Sequence, residues 1–517
     1  MVFKSVGNLY ILGAIGSVFS FWYNMLMAQH FGTGREVEAF FAAVVLNGSM
    51  VKISQTGYLM DILIPHYFQI RRDEGREAAF NLISVFVNLF FLAGLVISGL
   101  FLLLSPFFFK LMVGGFDDAT QAESIRFFYW IAPLMPIQVA MIVFRQLLNS
   151  EKLFARIEIT SVVGSIVSVA TLLTLHSTLG VRVLVLNIIL IEALQVFNAI
   201  YYLRKLKYRH RFRLRSPHIS MREILLKLSS TSGYLVSVQI LDFTFNNLLS
   251  SLPQGTFAVF RYSERVFRRA NSLILSPVTT VLKVVINESV ISGKVSARET
   301  VGKAVHFGIL TSLGFLLAFL VCGDDIIHFL FRGNRFPLDQ VMQSKILLSV
   351  LFGTTVLTVV DIVFQNICIA LGKGKTHYIL RIGQNIAAVL LVVWLIGRWD
   401  FEGLLAYRVG ITAIAFAISI GLVWVTEKEY LAPLFSLYTL RVVAAASIGF
   451  VALAPLHPYL RPMGDGGAFA HLVNATLQAS LYCMITYPVA RWMRISEIAL
   501  IEEKVRNLAA KIRKGRT

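Results

Sequence analysis

Long apolar stretches separated by short polar breaks recur along the whole of this 517-residue chain. Most are 20 residues or longer, and a helix of about 20 residues crosses the roughly 30 Å hydrocarbon core of a bilayer. Lipid cannot satisfy unpaired backbone groups, and the alternating pattern of a barrel strand is missing, so each stretch is predicted to be a helix. The breaks leave no room for a folded water-soluble domain.

The pattern therefore predicts an all-α polytopic membrane protein with about fourteen transmembrane helices. The predicted spans lie near residues 8–29, 37–65, 80–104, 124–148, 156–176, 181–203, 229–252, 266–290, 303–322, 344–371, 377–398, 403–426, 436–456 and 470–493.

Composition agrees with a lipid environment, because 56% of the residues are hydrophobic and only 15% are charged, against about a quarter in soluble domains. Cys322, Cys368 and Cys483 are scattered, which favours neither a disulfide framework nor a zinc site. Gly374-Lys375-Thr376 lacks the first glycine and the preceding strand of a phosphate-binding loop. We therefore expect a transporter, not an enzyme, with no metal site.

Basic residues concentrate in alternate loops, as at Arg71, Arg72 and Arg76 and again at Lys373 and Lys375. Since lysine and arginine are retained on the cytoplasmic side, this places both termini in the cytoplasm of a bacterial inner-membrane protein. The net charge of +19 is distributed between spans and forms no single patch, so nucleic acid is not an expected partner.

The longest basic segment follows the sixth span and contains seven lysines and arginines between residues 204 and 215. It is interpreted either as a plain topology anchor or as a site that attracts anionic lipid headgroups. The predicted domains are an N-terminal lobe (1–203), a basic cytoplasmic linker (204–228), a C-terminal lobe (229–426), two extra helices (427–493) and a basic cytoplasmic tail (494–517).

Charged side chains inside spans indicate candidate functional positions, because each costs about 2.5–3.5 kcal/mol to insert at mid-bilayer. Lys52 and Arg265 are cations of this kind, suited to binding the phosphates of an anionic substrate. The alternative for Lys52 is an ion pair with Asp61 or Glu38, and the alternative for Arg265 is an ion pair with Glu264.

Four arginines near the start of the eighth span are spaced so that most of them share one helix face. Charge on this face suggests an anionic ligand, and interfacial snorkelling is the competing account. The predicted substrate-binding residues are Lys52, Arg265, Glu38, Arg261, Arg268 and Arg269.

Carboxylates in or near spans are candidates for coupling to Na⁺ or H⁺, namely Asp61, Asp242, Asp361 and Glu192. Asp242 with Asn246 and Asn247 would form a polar helix face, for which interhelical hydrogen bonding is the alternative. No other cofactor is expected.

Three short motifs resemble the MurJ/MviN family: Ala28–Gly34 (AQHFGTG), Glu38–Ala43 (EAFFAA) and Tyr262–Arg265 (YSER). Gly57 and Ile64–Pro65 extend the match. The resemblance implies membership of the multidrug/oligosaccharidyl-lipid/polysaccharide exporter superfamily, with two six-helix lobes and two extra C-terminal helices.

The same resemblance implies a flippase that moves an undecaprenyl-pyrophosphate-linked, lipid II-like precursor by alternating access. The partners it implies are a lipid-linked glycan and membrane lipids, and envelope-synthesis enzymes are further candidates. Where the family carries arginines in its first two helices, this chain has Ser17, Tyr23, Gln29 and Val51–Lys52. Another lipid-linked polysaccharide unit, a drug antiporter and a non-transporting scaffold stay as alternatives.

Overall fold

The computed structural model describes the backbone of residues 2–54, 60–151, 153–217, 221–272, 294–331, 335–464 and 466–496. Side chains are described over the same ranges except 2–11, 14, 60–62, 65, 154–158, 221, 223–232, 294–297 and 457–458. The regular structure in these ranges is helical, as predicted from the apolar pattern.

The helices are numbered in chain order. They are α1 (Val2–Phe31), α2 (Arg35–Ile53), α3 (Met60–Asp73), α4 (Arg76–Leu103), α5 (Ser105–Val113), α6 (Asp118–Ile131), α7 (Met135–Ser150), α8 (Phe154–Leu179), α9 (Arg182–Lys205), α10 (Met221–Ser250), α11 (256–272), α12 (Lys294–Phe331), α13 (Leu338–Ala370), α14 (Gly374–Glu427), α15 (Leu437–Leu453) and α16 (Ala468–Trp492).

Eight helical segments of the described chain are long and apolar enough to cross a membrane. This confirms the all-α polytopic class. The number is smaller than the predicted fourteen partly because Gly374–Leu431 counts as one segment, although two spans were predicted there. The helix α14 is in fact broken at Trp399 and Asp400, where the backbone leaves helical geometry and Asp400 has a φ of 44°.

Two other predicted spans are also divided. The span predicted at 37–65 corresponds to α2, which ends at Ile53, and α3, which begins at Met60. The span predicted at 124–148 corresponds to α6 and α7, joined by a single 3₁₀ turn around Pro133. Proline lacks a backbone N–H and cannot continue the helical ladder, which explains this second break.

The chain divides into two compact units, residues 1–258 with 392–397, and residues 259–391 with 398–517. In the first unit α1 packs on α8, α2 on α6, and α4 on α7. A Cβ on Gly94 of α4 would lie 2.8 Å from Pro136 of α7, so only glycine permits this close approach. Because α10 packs on α5 it belongs to this unit, and the predicted lobe boundaries stay a prediction.

The second unit is built around α12, which packs against α13, α15 and α16. Small residues bring these helices together: a Cβ on Gly449 of α15 would collide with Thr486 and Tyr482 of α16. The hydroxyl of Tyr482 in turn donates to the carbonyl of Ala446 at 2.9 Å. Close backbone approach and interhelical hydrogen bonds are the usual means of helix association in a bilayer.

The first part of the predicted linker, residues 206–213, lies against α4 in the first unit. Buried Ser84 contacts the hydroxyl of Tyr208 at 2.8 Å. One turn later, the amide nitrogen of Asn88 donates to the carbonyls of Arg211 and Arg213, each at 3.0 Å. These bonds satisfy backbone groups of a non-helical segment, so we call residues 206–213 the docked linker.

Docking of this segment is expected to weaken as pH falls, because of His210. Its ring contacts the side-chain oxygen of Asn88 at 2.9 Å and the hydroxyl of Tyr208 at 3.1 Å. Burial lowers the pKa of the docked His210 imidazole below its ordinary value. The undocked histidine therefore binds protons at a higher pH, and the docked state loses stability as pH falls through about 6.5.

Hydrogen exchange of the amides in residues 206–213 measures this effect. After correction for intrinsic exchange rates, protection should be lower at about pH 5.5 than at about pH 7.5. In His210→Gln the difference should disappear, since no group there titrates in that range. Equal protection at both pH values in the unmodified chain would contradict the expectation.

Candidate functional site

Lys52 forms an ion pair in the first unit. Its ammonium, in the last turn of α2, lies 2.7 Å from a carboxylate oxygen of Asp242 on α10. The two side chains are 55% and 35% exposed. The observed partner is thus neither of those suggested by the sequence, Glu38 or Asp61, and the side chain of Asp61 lies outside the described residues. An exposed pair of this kind is held weakly, so a phosphate can compete for the lysine.

Glu38 is buried in the first turn of α2, with 3% of its surface exposed. One carboxylate oxygen accepts hydrogen bonds from the backbone N–H groups of Gly255 at 3.0 Å and Ala258 at 3.4 Å. Ala258 lies in the first turn of α11 and Gly255 immediately precedes the helix, at the end where the helix dipole favours a negative charge. Glu38 therefore joins α2 to the start of α11 through these hydrogen bonds. Its predicted role in substrate binding stays a prediction.

Three arginines of the second unit surround one carboxylate. Arg261 is 8% exposed and donates to Oε2 of Glu264 at 2.8 Å, and Arg268 lies 2.9 Å from the same oxygen. Arg408 of α14 acts electrostatically on Glu264, and its guanidinium lies 4.9 Å from the ring centre of Phe260. We call Arg261, Arg268, Arg408 and Glu264 the arginine cluster, and its net charge is +2.

The arginine cluster agrees with the predicted helix face, because Arg261 and Arg268 reach the same carboxylate oxygen. Arg265 and Arg269 are half-buried on the same helix, α11. Lys52 belongs to the first unit and Arg265 to the second. The prediction that these two cations share one vestibule, and that all these groups bind substrate, therefore stays a prediction.

Asp361, a candidate for ion coupling, is engaged in a buried ion pair in the second unit. A terminal nitrogen of Arg381 lies 2.6 and 2.7 Å from its two oxygens, and the hydroxyl of Ser419 donates to it at 2.6 Å. The side chains of Arg381 and Asp361 are only 11% and 12% exposed. The carboxylate charge is thus compensated from within the protein.

Glu192 and Asp242 have different neighbours in the first unit. Glu192 of α9 accepts a hydrogen bond from the amide of Gln138 at 3.2 Å, and Gln138 accepts one from Asn47 at 3.0 Å. Asp242 pairs with Lys52, whereas nearby Asn247 donates to the Leu111 carbonyl of α5 at 3.0 Å. The asparagine therefore makes the interhelical hydrogen bond that was the alternative for this polar face.

Sequence reasoning missed Arg381 and Arg408. Both lie within predicted spans, so the cost of inserting a charge was an available signal. Arg381 follows Asp361 by 20 residues, on the next predicted span, which makes the pair identifiable in principle. The position of Arg408 beside the arginine cluster depends on contacts between α14 and α11, and local sequence carries no sign of it.

Structural comparison finds the same fold in solved structures of membrane transporters. A structure described as lipid II flippase MurJ in an inward closed conformation aligns with a TM-score of 0.74 at 15% identity, covering 93% of this chain and 98% of that one. An inward-facing multidrug resistance MATE family transporter of the MOP superfamily aligns with a TM-score of 0.62 at 18% identity, covering 81% and 94%.

Sequence comparison identifies the family. The pattern of the family described as lipid II flippase MurJ matches residues 27–460. A probable lipid II flippase MurJ of Rickettsia prowazekii (strain Madrid E) is 23% identical over 367 residues, which cover 68% of this chain and 70% of that protein. The chain belongs to the lipid II flippase MurJ family, as its helix-one and helix-two motifs predicted.

Proposed function

We propose that this chain is a flippase that moves an undecaprenyl-pyrophosphate-linked, lipid II-like precursor from the cytoplasmic to the periplasmic leaflet of a bacterial inner membrane. The match to the MurJ family over residues 27–460 carries this proposal. Both termini lie in the cytoplasm, and alternating access moves the polar head while the polyprenyl tail stays in lipid. The chain acts as a transporter and not as an enzyme.

The charge of the described groups supports an anionic substrate head. The arginine cluster has a net positive charge, and guanidinium groups bind phosphate oxygens in a planar, two-point geometry. Lys52 adds a cation with an exposed ammonium. An exporter of cationic drugs would favour the opposite sign of charge, so these groups favour the flippase over the antiporter.

Ion coupling is a further part of the proposal, with Glu192 as the residue to bind Na⁺ or H⁺. Asp242 and Asp361 each have a cation within ion-pair distance. The described hydrogen bond of Glu192 comes from the neutral amide of Gln138, and Arg145 acts on this carboxylate electrostatically, with no ion pair between the two among the described contacts. A carboxylate with a neutral hydrogen-bond partner keeps its negative charge available for a coupling ion.

Replacement of the resident lipid II flippase in a depleted bacterial strain tests the function. Expression of this chain should restore growth and return lipid II to the outer leaflet, which leaflet-specific labelling measures. Growth without flipping, or lipid II retained in the inner leaflet, would contradict the proposal. Rescue of a strain that lacks a different polysaccharide flippase instead would favour the other lipid-linked glycan.

Lys52→Gln is expected to lower transport roughly tenfold or more if the lysine binds a substrate phosphate, since charged hydrogen bonds contribute roughly 1.5–3 kcal/mol. Exchanging the pair, as Lys52→Asp with Asp242→Lys, should not restore transport. Arg126→Gln is the matched control, because Arg126 is also paired and exposed in the first unit. Full activity of the exchanged pair would instead make Lys52 a residue that only joins α2 to α10.

A further inference from the structure

A large apolar cavity lies within the first unit, between α4, α7 and α9, and the docked linker closes one side of it. Its volume is about 540 Å³, which falls in the usual range of small-molecule sites. The wall is formed mainly by aliphatic and aromatic side chains, among them Phe91, Ile137, Phe144, Val196, Ile200 and Leu203. A cavity with such a lining suits a hydrocarbon chain and not a group of waters.

The edge of the cavity is polar and basic on the side of the docked linker. Arg204, in the last turn of α9, lines the cavity together with Tyr208 and His210 of the docked linker. Among the ion pairs of the described residues, none involves Arg204. Seven lysines and arginines lie between residues 204 and 215. The cavity therefore combines an apolar interior with a cationic rim.

Asn88 of α4 connects the apolar interior of the cavity to its basic rim. Asn88 lines the cavity and also donates to the carbonyls of Arg211 and Arg213. Arg211 additionally lies 2.6 Å from Glu77. The rim is thus part of the folded unit, so its charges stay beside the opening of the cavity.

We propose that this cavity binds one anionic glycerophospholipid of the leaflet that the linker faces. An acyl chain occupies the space between α4, α7 and α9, and the phosphate lies against Arg204. Anionic headgroups match the basic rim, because clustered lysines and arginines at a membrane surface attract them. This lipid is a resident ligand of the first unit, distinct from the transported precursor, and the inference does not depend on the proposed function.

Native mass spectrometry of the full-length chain, released from detergent, tests the site with three probes: phosphatidylglycerol, phosphatidylethanolamine and undecaprenyl phosphate. Val196→Phe fills the cavity, and Ala193→Phe, at an exposed position one turn earlier that does not line the cavity, is its matched control. Arg204→Gln removes the rim charge. Lys205→Gln is the matched control for this change. The ammonium of Lys205 lies 4.5 Å from the ring centre of Tyr201, and Lys205 does not line the cavity.

Phosphatidylglycerol should bind to the unmodified chain more tightly than phosphatidylethanolamine. Arg204→Gln should weaken its binding roughly fivefold, as expected for one surface charge, and Val196→Phe should remove the tightest site. Both control variants should bind as the unmodified chain does. Arg204 is at the surface, so its variant keeps the test valid if Val196→Phe fails to fold.

Three results would overturn the proposal. The first is equal affinity for phosphatidylglycerol and phosphatidylethanolamine, and the second is unchanged binding in Arg204→Gln. The third is tight binding of undecaprenyl phosphate that displaces phosphatidylglycerol and is lost in Val196→Phe, which would make the cavity a site for the substrate tail. Transport by the same variants in the depleted strain separates failure of this site from failure of the flippase function.

Discussion

Replacing Arg381 with methionine should lower the free energy of unfolding of the second unit by about 3–5 kcal/mol, the usual cost of leaving one member of a buried pair unpaired. Both oxygens of Asp361 lie within 2.7 Å of the Arg381 guanidinium, and both side chains are almost completely buried. Without the arginine, the hydrogen bond that remains to the carboxylate among the described residues is the one from the hydroxyl of Ser419.

The double variant Arg381→Met with Asp361→Leu should recover most of this loss, because it removes the isolated charge together with its partner. Thermal unfolding of the purified protein in detergent measures both. Lys303→Met is the matched control: its pair with Glu299 is 58% and 69% exposed, and it should change stability by less than about 1 kcal/mol. A double variant as unstable as the single one would show that Arg381 acts through packing and not through charge.

Apolar periodicity predicts helices well in this chain, because the bilayer leaves the backbone little other choice. It predicts some of their interruptions. The break of α14 at Trp399 and Asp400 falls between the spans predicted at 377–398 and 403–426. The end of α2 at Ile53 was missed, because it lies inside the span predicted at 37–65. The polar residues Ser54, Gln55 and Thr56 that follow Ile53 were the available sign of it.

Charge in an apolar segment indicates that a partner is needed, yet it does not identify that partner. Lys52 and Asp242 are 190 positions apart, so their pairing follows only from the packing of α2 against α10. The docked linker was predicted only as part of a basic cytoplasmic linker, residues 204–228, because of its charge. Ser84 and Asn88, two hydrogen-bonding side chains one turn apart in a mainly apolar span, were the available sign that it packs on α4.

Arg408→Gln is expected to lower lipid II transport roughly tenfold to a hundredfold, which corresponds to the roughly 1.5–3 kcal/mol of a charged hydrogen bond. The physical reason is the balance of charge in the arginine cluster. Glu264 already accepts bonds from Arg261 and Arg268, so loss of Arg408 halves the net positive charge offered to a phosphate. The fold should persist, because the contact that the glutamine loses, that of the guanidinium with the ring of Phe260, contributes only about 0.5–2 kcal/mol.

Leaflet-specific labelling of lipid II in the complemented strain measures this loss, and thermal unfolding in detergent checks that stability is retained. Arg398→Gln is the matched control, since Arg398 lies just before the break in α14 and is exposed beside Trp399. Arg408→Lys should recover part of the transport, as a lysine restores the charge without the two-point geometry. If Arg408→Gln transports normally while remaining folded, the positive charge of the arginine cluster serves packing within the second unit, and the substrate phosphates must bind to other cations.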